Sequence, residues 1–199
     1  MTRTGRIDGR ALLAVVAGIA LSGALVWQSS YAAFTATTSN PGNSWTAGTI
    51  ALADNDSGAA LFNASGLVPG STGYRCITVD FTGTVGAQVR LYATPVTAGP
   101  TALAPFLELT VEEGTGTTAT CSDFAASSTL YGTAPGFDTT KTLSTFTSSH
   151  SSHGTGLSAW APTTAASRAY RISYRLKDDD AAQGAAASIN FVWEARTAP

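Results

Sequence analysis

Apolar and polar residues alternate with a period of two in several separate stretches of the chain. Ile50 and Leu52 follow Gly48. Ile77, Val79 and Phe81 alternate with Cys76, Thr78 and Asp80, and Val89, Leu91 and Ala93 with Gln88, Arg90 and Tyr92. Leu107, Leu109 and Val111 oppose Glu108, Thr110 and Glu112, and Tyr170, Ile172, Tyr174 and Leu176 oppose Arg171, Ser173 and Arg175. The last run sets Ile189, Phe191, Trp193 and Ala195 against Ser188, Asn190, Val192 and Glu194. In an extended chain this spacing sends alternate side chains to opposite faces, so each stretch predicts a strand with one buried face. Gly, Pro and Asp turns separate them. The pattern predicts an all-β protein, an antiparallel β-sandwich of jelly-roll type. Ile189, Phe191 and Trp193 are expected in its core and not at a ligand site.

Residues 114–163 break the pattern. No long run alternates there, and the segment reads as a loop-rich insertion with one or two helical turns. Within it, residues 138–150 can form a short helix with Leu143 and Phe146 on one side. No internal repeat occurs.

The first 32 residues read differently again. Arg3, Arg6 and Arg10 precede a 17-residue uncharged run from Ala11 to Trp27, and the polar stretch after it ends in Tyr31-Ala32-Ala33-Phe34. A charged end, an apolar helical core and small residues before a junction are the layout of an export signal peptide. Cleavage between Ala32 and Ala33 places Ser30 and Ala32 at the small positions, whereas cleavage after Ala33 would put bulky Tyr31 at one of them. A retained anchor is the rival, since the apolar run is at the short limit for spanning a bilayer. Residues 33–199 then form a single domain, large enough to support its own core.

Composition agrees with export. Thr and Ser number 30 and 20 in 199 residues, only 12% of the residues are charged, and the net charge of −2 becomes −4 when Arg3, Arg6, Arg10 and Asp8 leave with the signal. Small and β-branched residues suit strands and turns. Two lysines in the whole chain leave no cationic cluster for a nucleic acid. In an oxidising compartment the two cysteines, Cys76 and Cys121, are expected to pair. Because Cys76 lies opposite Ile77, the bond would pin the Cys121 loop over the outer face of a sheet.

Candidate chemistry is sparse, and no catalytic, cofactor or metal site is assigned. His150 and His153 stand in a serine-rich loop with no adjacent carboxylate and no evident third ligand. The helical zinc-protease pattern H-E-x-x-H is missing. Asp54-Asn55-Asp56-Ser57-Gly58 places its glycine one position early for a calcium loop and reads better as a tight hairpin turn. Asp178-Asp179-Asp180 reads as a solvated turn. Asn63-Ala64-Ser65 matches the glycosylation sequon, and the many serines lack a G-x-S-x-G setting.

Several blocks, in order, resemble the TasA/camelysin (CalY) family of exported fibre proteins, in the form served by a dedicated (SipW-type) signal peptidase. They are Ala32-Ala33-Phe34 at the junction, the segment from Asn43 to Leu52 that contains Trp45 and Gly48-Thr49-Ile50, and Gly66-Leu67-Val68-Pro69-Gly70-Ser71. The segments Leu176–Gly184 and Phe191–Ala195 are similar to the family's closing hairpin. The middle third is not matched. The resemblance implies a secreted jelly-roll subunit at the cell surface or in a biofilm matrix, polymerised head to tail with copies of itself. The signal peptidase is an implied partner, and other matrix or cell-wall components are further candidates. It also implies that a donor strand, here Ala33, Phe34, Thr35, Ala36, Thr37 and Thr38, enters a groove of the next subunit, with Phe34 and Ala36 on one side. Camelysin relatives have been called metallopeptidases, so a secreted metallopeptidase is one alternative. A monomeric surface-anchored binding module is the other.

Overall fold

The computed structural model describes residues 35–38, 50–96 and 99–197. The expected signal peptide, the Ala32–Ala33 junction, Phe34 and most of the segment from Asn43 to Leu52 lie outside them. Nine strands are described: β1 Thr35–Thr38, β2 Leu52–Asp54, β3 Thr72–Phe81, β4 Ala87–Pro95, β5 Leu107–Thr115, β6 Ala125–Tyr131, β7 Leu157–Trp160, β8 Ala166–Leu176 and β9 Ile189–Thr197. One α-helix, α1, spans Leu143–Ser149, between β6 and β7.

The strands form two antiparallel sheets, ordered β1-β9-β4-β7 and β2-β3-β8-β5-β6. With β2 set aside, the orders 1-9-4-7 and 3-8-5-6 are those of an eight-stranded jelly roll. The alternation of β4 is followed strictly, with Ala87, Val89, Leu91 and Ala93 buried and the residues between them half-buried. These side chains meet Ile77, Val79 and Phe81 of β3, Leu109 and Val111 of β5, Tyr170 and Ile172 of β8, and Trp193 and Ala195 of β9 in one core. Trp193 is buried as expected, but Ile189 and Phe191 are only half-buried against that core.

Helix α1 starts where Thr142 and Thr145 cap each other. The Thr145 N–H donates to Thr142 Oγ1 (3.2 Å) and the Thr142 N–H to Thr145 Oγ1 (2.7 Å). This satisfies two backbone donors that the first turn would leave unpaired. Leu143 and Phe146 are buried, and Phe146 lies edge-on to Tyr131 with ring centroids 5.1 Å apart.

Three sequence expectations change. The 114–163 insertion supplies two strands, β6 and β7, each at an edge of its sheet. Strand β6 shows no alternation because five of its seven residues are exposed. Strands β8 and β9 are no hairpin, since they lie in different sheets. The Asp54–Gly58 segment does turn tightly, with the Ala59 N–H donating to Asp56 O (3.0 Å), but it opens a long connection to β3 and closes no tight hairpin.

The largest departure is on β5. Glu108, Thr110 and Glu112, the polar side of the alternation, are 1%, 2% and 5% exposed. Directly opposite on β8, Arg175 Nε reaches Glu108 at 2.5 Å, and Arg171 Nε and Nη2 hold both oxygens of Glu112 at 2.7 and 2.9 Å. The ring of Phe137 covers Arg175 and that of Phe124 covers Arg171, at 5.1 and 4.8 Å from ring centroid to guanidinium. The chain after β6 runs back along β5, where the Leu109 N–H donates to Lys141 O (2.8 Å). Gly132 begins that return at φ +77°, and a Cβ there would stand 2.5 Å from Leu109 O. Only glycine fits.

Removing one partner of a buried ion pair strands the other charge and costs about 3–5 kcal/mol. Arg171→Leu is therefore expected to lower unfolding free energy by about 3 kcal/mol. The double variant Arg171→Leu/Glu112→Leu should recover most of the loss. Denaturant titration checks both, and a double variant no better than the single one would contradict the pairing.

Candidate functional site

Two features of the domain have no role in holding the fold together that the core alone explains. One is the β1 edge, and the other is a cavity between the sheets.

Strand β1 pairs antiparallel with β9 in the register Thr35↔Arg196, Ala36↔Ala195, Thr37↔Glu194 and Thr38↔Trp193. Of the expected donor strand, Thr35, Ala36, Thr37 and Thr38 thus lie on their own domain, while Ala33 and Phe34 are outside the described residues. The other side of β9 pairs with β4 over nine positions, from Ala87↔Thr197 to Pro95↔Ile189. Glu194 of β9 is 3% exposed and accepts hydrogen bonds from Arg196 Nε (2.7 Å) and the Tyr92 hydroxyl (2.9 Å). Burial, and then the Glu194 carboxylate, push the Tyr92 hydroxyl up to about 12.

Cys76 and Cys121 are disulfide-bonded, with Cα atoms 5.2 Å apart and a sequence separation of 45. The bond joins β3 to the loop before β6, on the outer face of the sheet, as the alternation predicts. Around it the Cys76 N–H donates to Ala119 O (3.1 Å) and Thr78 Oγ1 to Gly116 O (2.9 Å). Asn55 spans the gap between β2 and this loop, accepting from the Thr78 N–H (3.0 Å) and donating to Thr117 O (2.9 Å). Asp123 fixes the loop itself. Hydrogen bonds from the hydroxyls and backbone N–H groups of Thr118 and Thr117 hold its carboxyl well below the usual carboxylate range.

The histidines serve local structure. A carbonyl oxygen can only accept, so His150 Nδ1–H donates to Thr155 O (2.6 Å) and His153 Nε2–H to Gln88 O (2.9 Å). Among the described residues no group of three or more His, Cys, Asp or Glu is placed to hold a metal ion. Asp178, Asp179 and Asp180 are exposed, and Asp179 caps a single 3-10 turn by accepting from the Ala181 N–H (2.9 Å). Among the described residues no helix is long and apolar enough to cross a membrane.

A cavity of about 670 Å³ opens between the sheets beneath the connection from β2 to β3. Leu61 and Phe62 of that connection, Ile77, Leu109, Leu143 and Phe191 supply apolar wall. Phe62 is held edge-on to Tyr174, with ring centroids 5.3 Å apart. Asp54 and Asp56, both half-buried, line the same space. Burial, and then the hydrogen bond and charge of Asp56, push the Asp54 carboxyl up to about 6. Sequence reading missed this site. The one signal for it was the apolar run Ala59-Ala60-Leu61-Phe62 inside a loop.

No protein-family model and no curated protein matches the chain.

Two outcomes follow from these geometries. Alkylation of the non-reduced protein should find no free thiol by intact mass. Reduction should lower stability by about 4 kcal/mol, the loop-closure value for a ring of this length, in parallel denaturant titrations. The folded Asp54 keeps a proton that the unfolded chain has lost between about pH 4 and pH 6. Its penalty therefore grows as pH rises through that window and is full above it. Asp54→Asn, which copies the protonated carboxyl, should stabilise the fold by about 1 kcal/mol at pH 7.5, allowing for solvent screening, and by nothing near pH 4. An equal gain at both pH values would contradict the assignment.

Proposed function

We propose that the protein is a secreted structural subunit that polymerises head to tail into extracellular fibres of a biofilm matrix or cell surface, exchanging strand β1 between copies. The observation that carries this reading is the place of Thr35–Thr38, which form an edge strand on β9. They sit within six residues of the N-terminus that cleavage after Ala32 would create. In a lone subunit the segment folds back and fills the β9 edge. When it leaves, β9 presents unpaired N–H and C=O groups that template the same strand from a neighbour. Because donor segment and acceptor edge are different surfaces, the contact need not close on itself and can grow into a filament. The disulfide between Cys76 and Cys121 suits an oxidising, extracytoplasmic compartment. The resemblance of the sequence blocks to exported fibre proteins points the same way.

Trans pairing can be trapped covalently. Thr35 lies opposite Arg196, whose side chain is nearly half exposed. Fibres grown from a mixture of Thr35→Cys chains and Arg196→Cys chains, each beginning at Ala33, should yield disulfide-linked heterodimers on mild oxidation, while the same mixture held monomeric should not. Phe34→Asp should leave the folded monomer intact and abolish fibres seen by negative-stain microscopy. Normal fibres from Phe34→Asp, or from a chain beginning at Ser39, would overturn strand exchange.

A further inference from the structure

The cavity between the sheets adjoins the β1–β9 pairing at Trp193, which lies opposite Thr38 and lines the cavity. Its volume of about 670 Å³ falls within the range of about 300–1,000 Å³ typical of small-molecule sites. Its electrostatics are one-sided: among the described residues, Asp54 and Asp56 are the only charged ones that line it, and no Lys, Arg or His does. Both aspartates are half-buried, so a charged group beside them stays partly hydrated while an attached chain lies among Leu61, Phe62, Leu109 and Phe191.

We propose that this cavity binds a single-chain amphiphile with a protonated amine head, its alkyl chain between the sheets and its ammonium at Asp54 and Asp56. Burying the chain removes apolar surface from water on both sides of the contact. The ammonium supplies the positive charge that the pair lacks, whereas a carboxylate or phosphate head would meet two like charges. An uncharged head keeps the apolar term and loses the ionic one. Affinity therefore falls in the order amine, alcohol, carboxylate.

Decylamine and decanoate below their micelle concentrations, and decan-1-ol below its solubility limit, separate these contributions on the purified chain beginning at Ala33, which contains every described strand. Calorimetry at pH 7.5 should show saturable binding of one decylamine per chain, weaker binding of decan-1-ol and none of decanoate. Asp54→Asn should weaken decylamine by about fivefold, the upper end for a partly exposed charge pair, and leave decan-1-ol unchanged. Leu61→Trp, which fills the space, should remove binding of both. A site map that does not depend on that variant's folding comes from the indole N–H signals. Trp193 lines the cavity and Trp160 does not, so decylamine should shift the signal of Trp193 and leave that of Trp160 in place. Failure of decylamine to saturate, decanoate binding as well as decylamine, an unchanged affinity in Asp54→Asn, or a shift at Trp160 alone would each overturn the proposal. So would a concentration-dependent shift of Trp193 with no amphiphile present in a chain beginning at Ser39, which lacks β1 and its Thr38 beside Trp193, since a second copy would then be the occupant.

Discussion

Two carboxylates shut away from water set the terms for one half of the molecule. Glu108 and Glu112 project from the outer face of β5, where an ordinary sandwich meets solvent, and both are almost fully buried. An ionised carboxylate is tolerated there only with a partner and saturated hydrogen bonds. Arg175 and Arg171 supply these from directly opposite positions on β8, and the bonds to the glutamates raise the basicity of both guanidiniums. The rings of Phe137 and Phe124 cover part of each guanidinium without competing for its protons, leaving the two arginine side chains 38% and 34% exposed. Most of the 114–163 insertion is explained by this demand. Its loops carry the two rings, β6 closes the sheet beside β5, and the disulfide at Cys121 fastens the covering to β3. A third pair, Arg168 with Glu113 (2.8 Å), lies against Trp160 of the other sheet. Arginine, glutamate and aromatic ring thus recur as a unit.

The other sheet is organised around β9, flanked by β4 on one side and β1 on the other. The two neighbours hold it unequally. Strand β4 pairs along the whole of β9, whereas β1 contributes four residues. A short edge strand is the element of a sandwich that opens at least cost. Folding back in cis has the advantage of high effective concentration, and a strand from a second copy must overcome it by crowding or by additional contacts. In the proposed strand exchange the pairings in cis and in trans are identical, so subunit concentration would be the control.

Local pattern decided most of the architecture. The strict alternation of β4, and the apolar residues recurring every second position in β3 and β8, follow from the geometry of an extended chain with one face in the core, and they give strands, inner faces and the sandwich class directly. Leu143 and Phe146, three apart, marked the helix, which spans Leu143–Ser149 and not the whole of 138–150. The cysteine pairing and its place on the outer face followed from compartment and parity. The order of strands did not, because pairing partners as far apart as Thr35 and Arg196 leave no local mark. That is why the segment around β8 and β9 resembled a hairpin although its strands lie in different sheets. Strand β6 escaped for a related reason, since an exposed edge strand has no buried face to impose a period.

The candidate sites divide along the same line. Sequence alone marked residues 33–38 as an extended segment near a new N-terminus, but only the fold seats Thr35–Thr38 on β9. Glu108 and Glu112 read as a solvated face because alternation reports on side, not on surroundings. Their burial depends on rings brought over from Phe124 and Phe137. The cavity left still less trace, since its walls come from both sheets and a loop, and emptiness between distant residues has no sequence pattern. Periodicity is a property of neighbours along the chain and is fixed before folding. Cover, pairing and enclosed space belong to segments that meet only once the chain has folded.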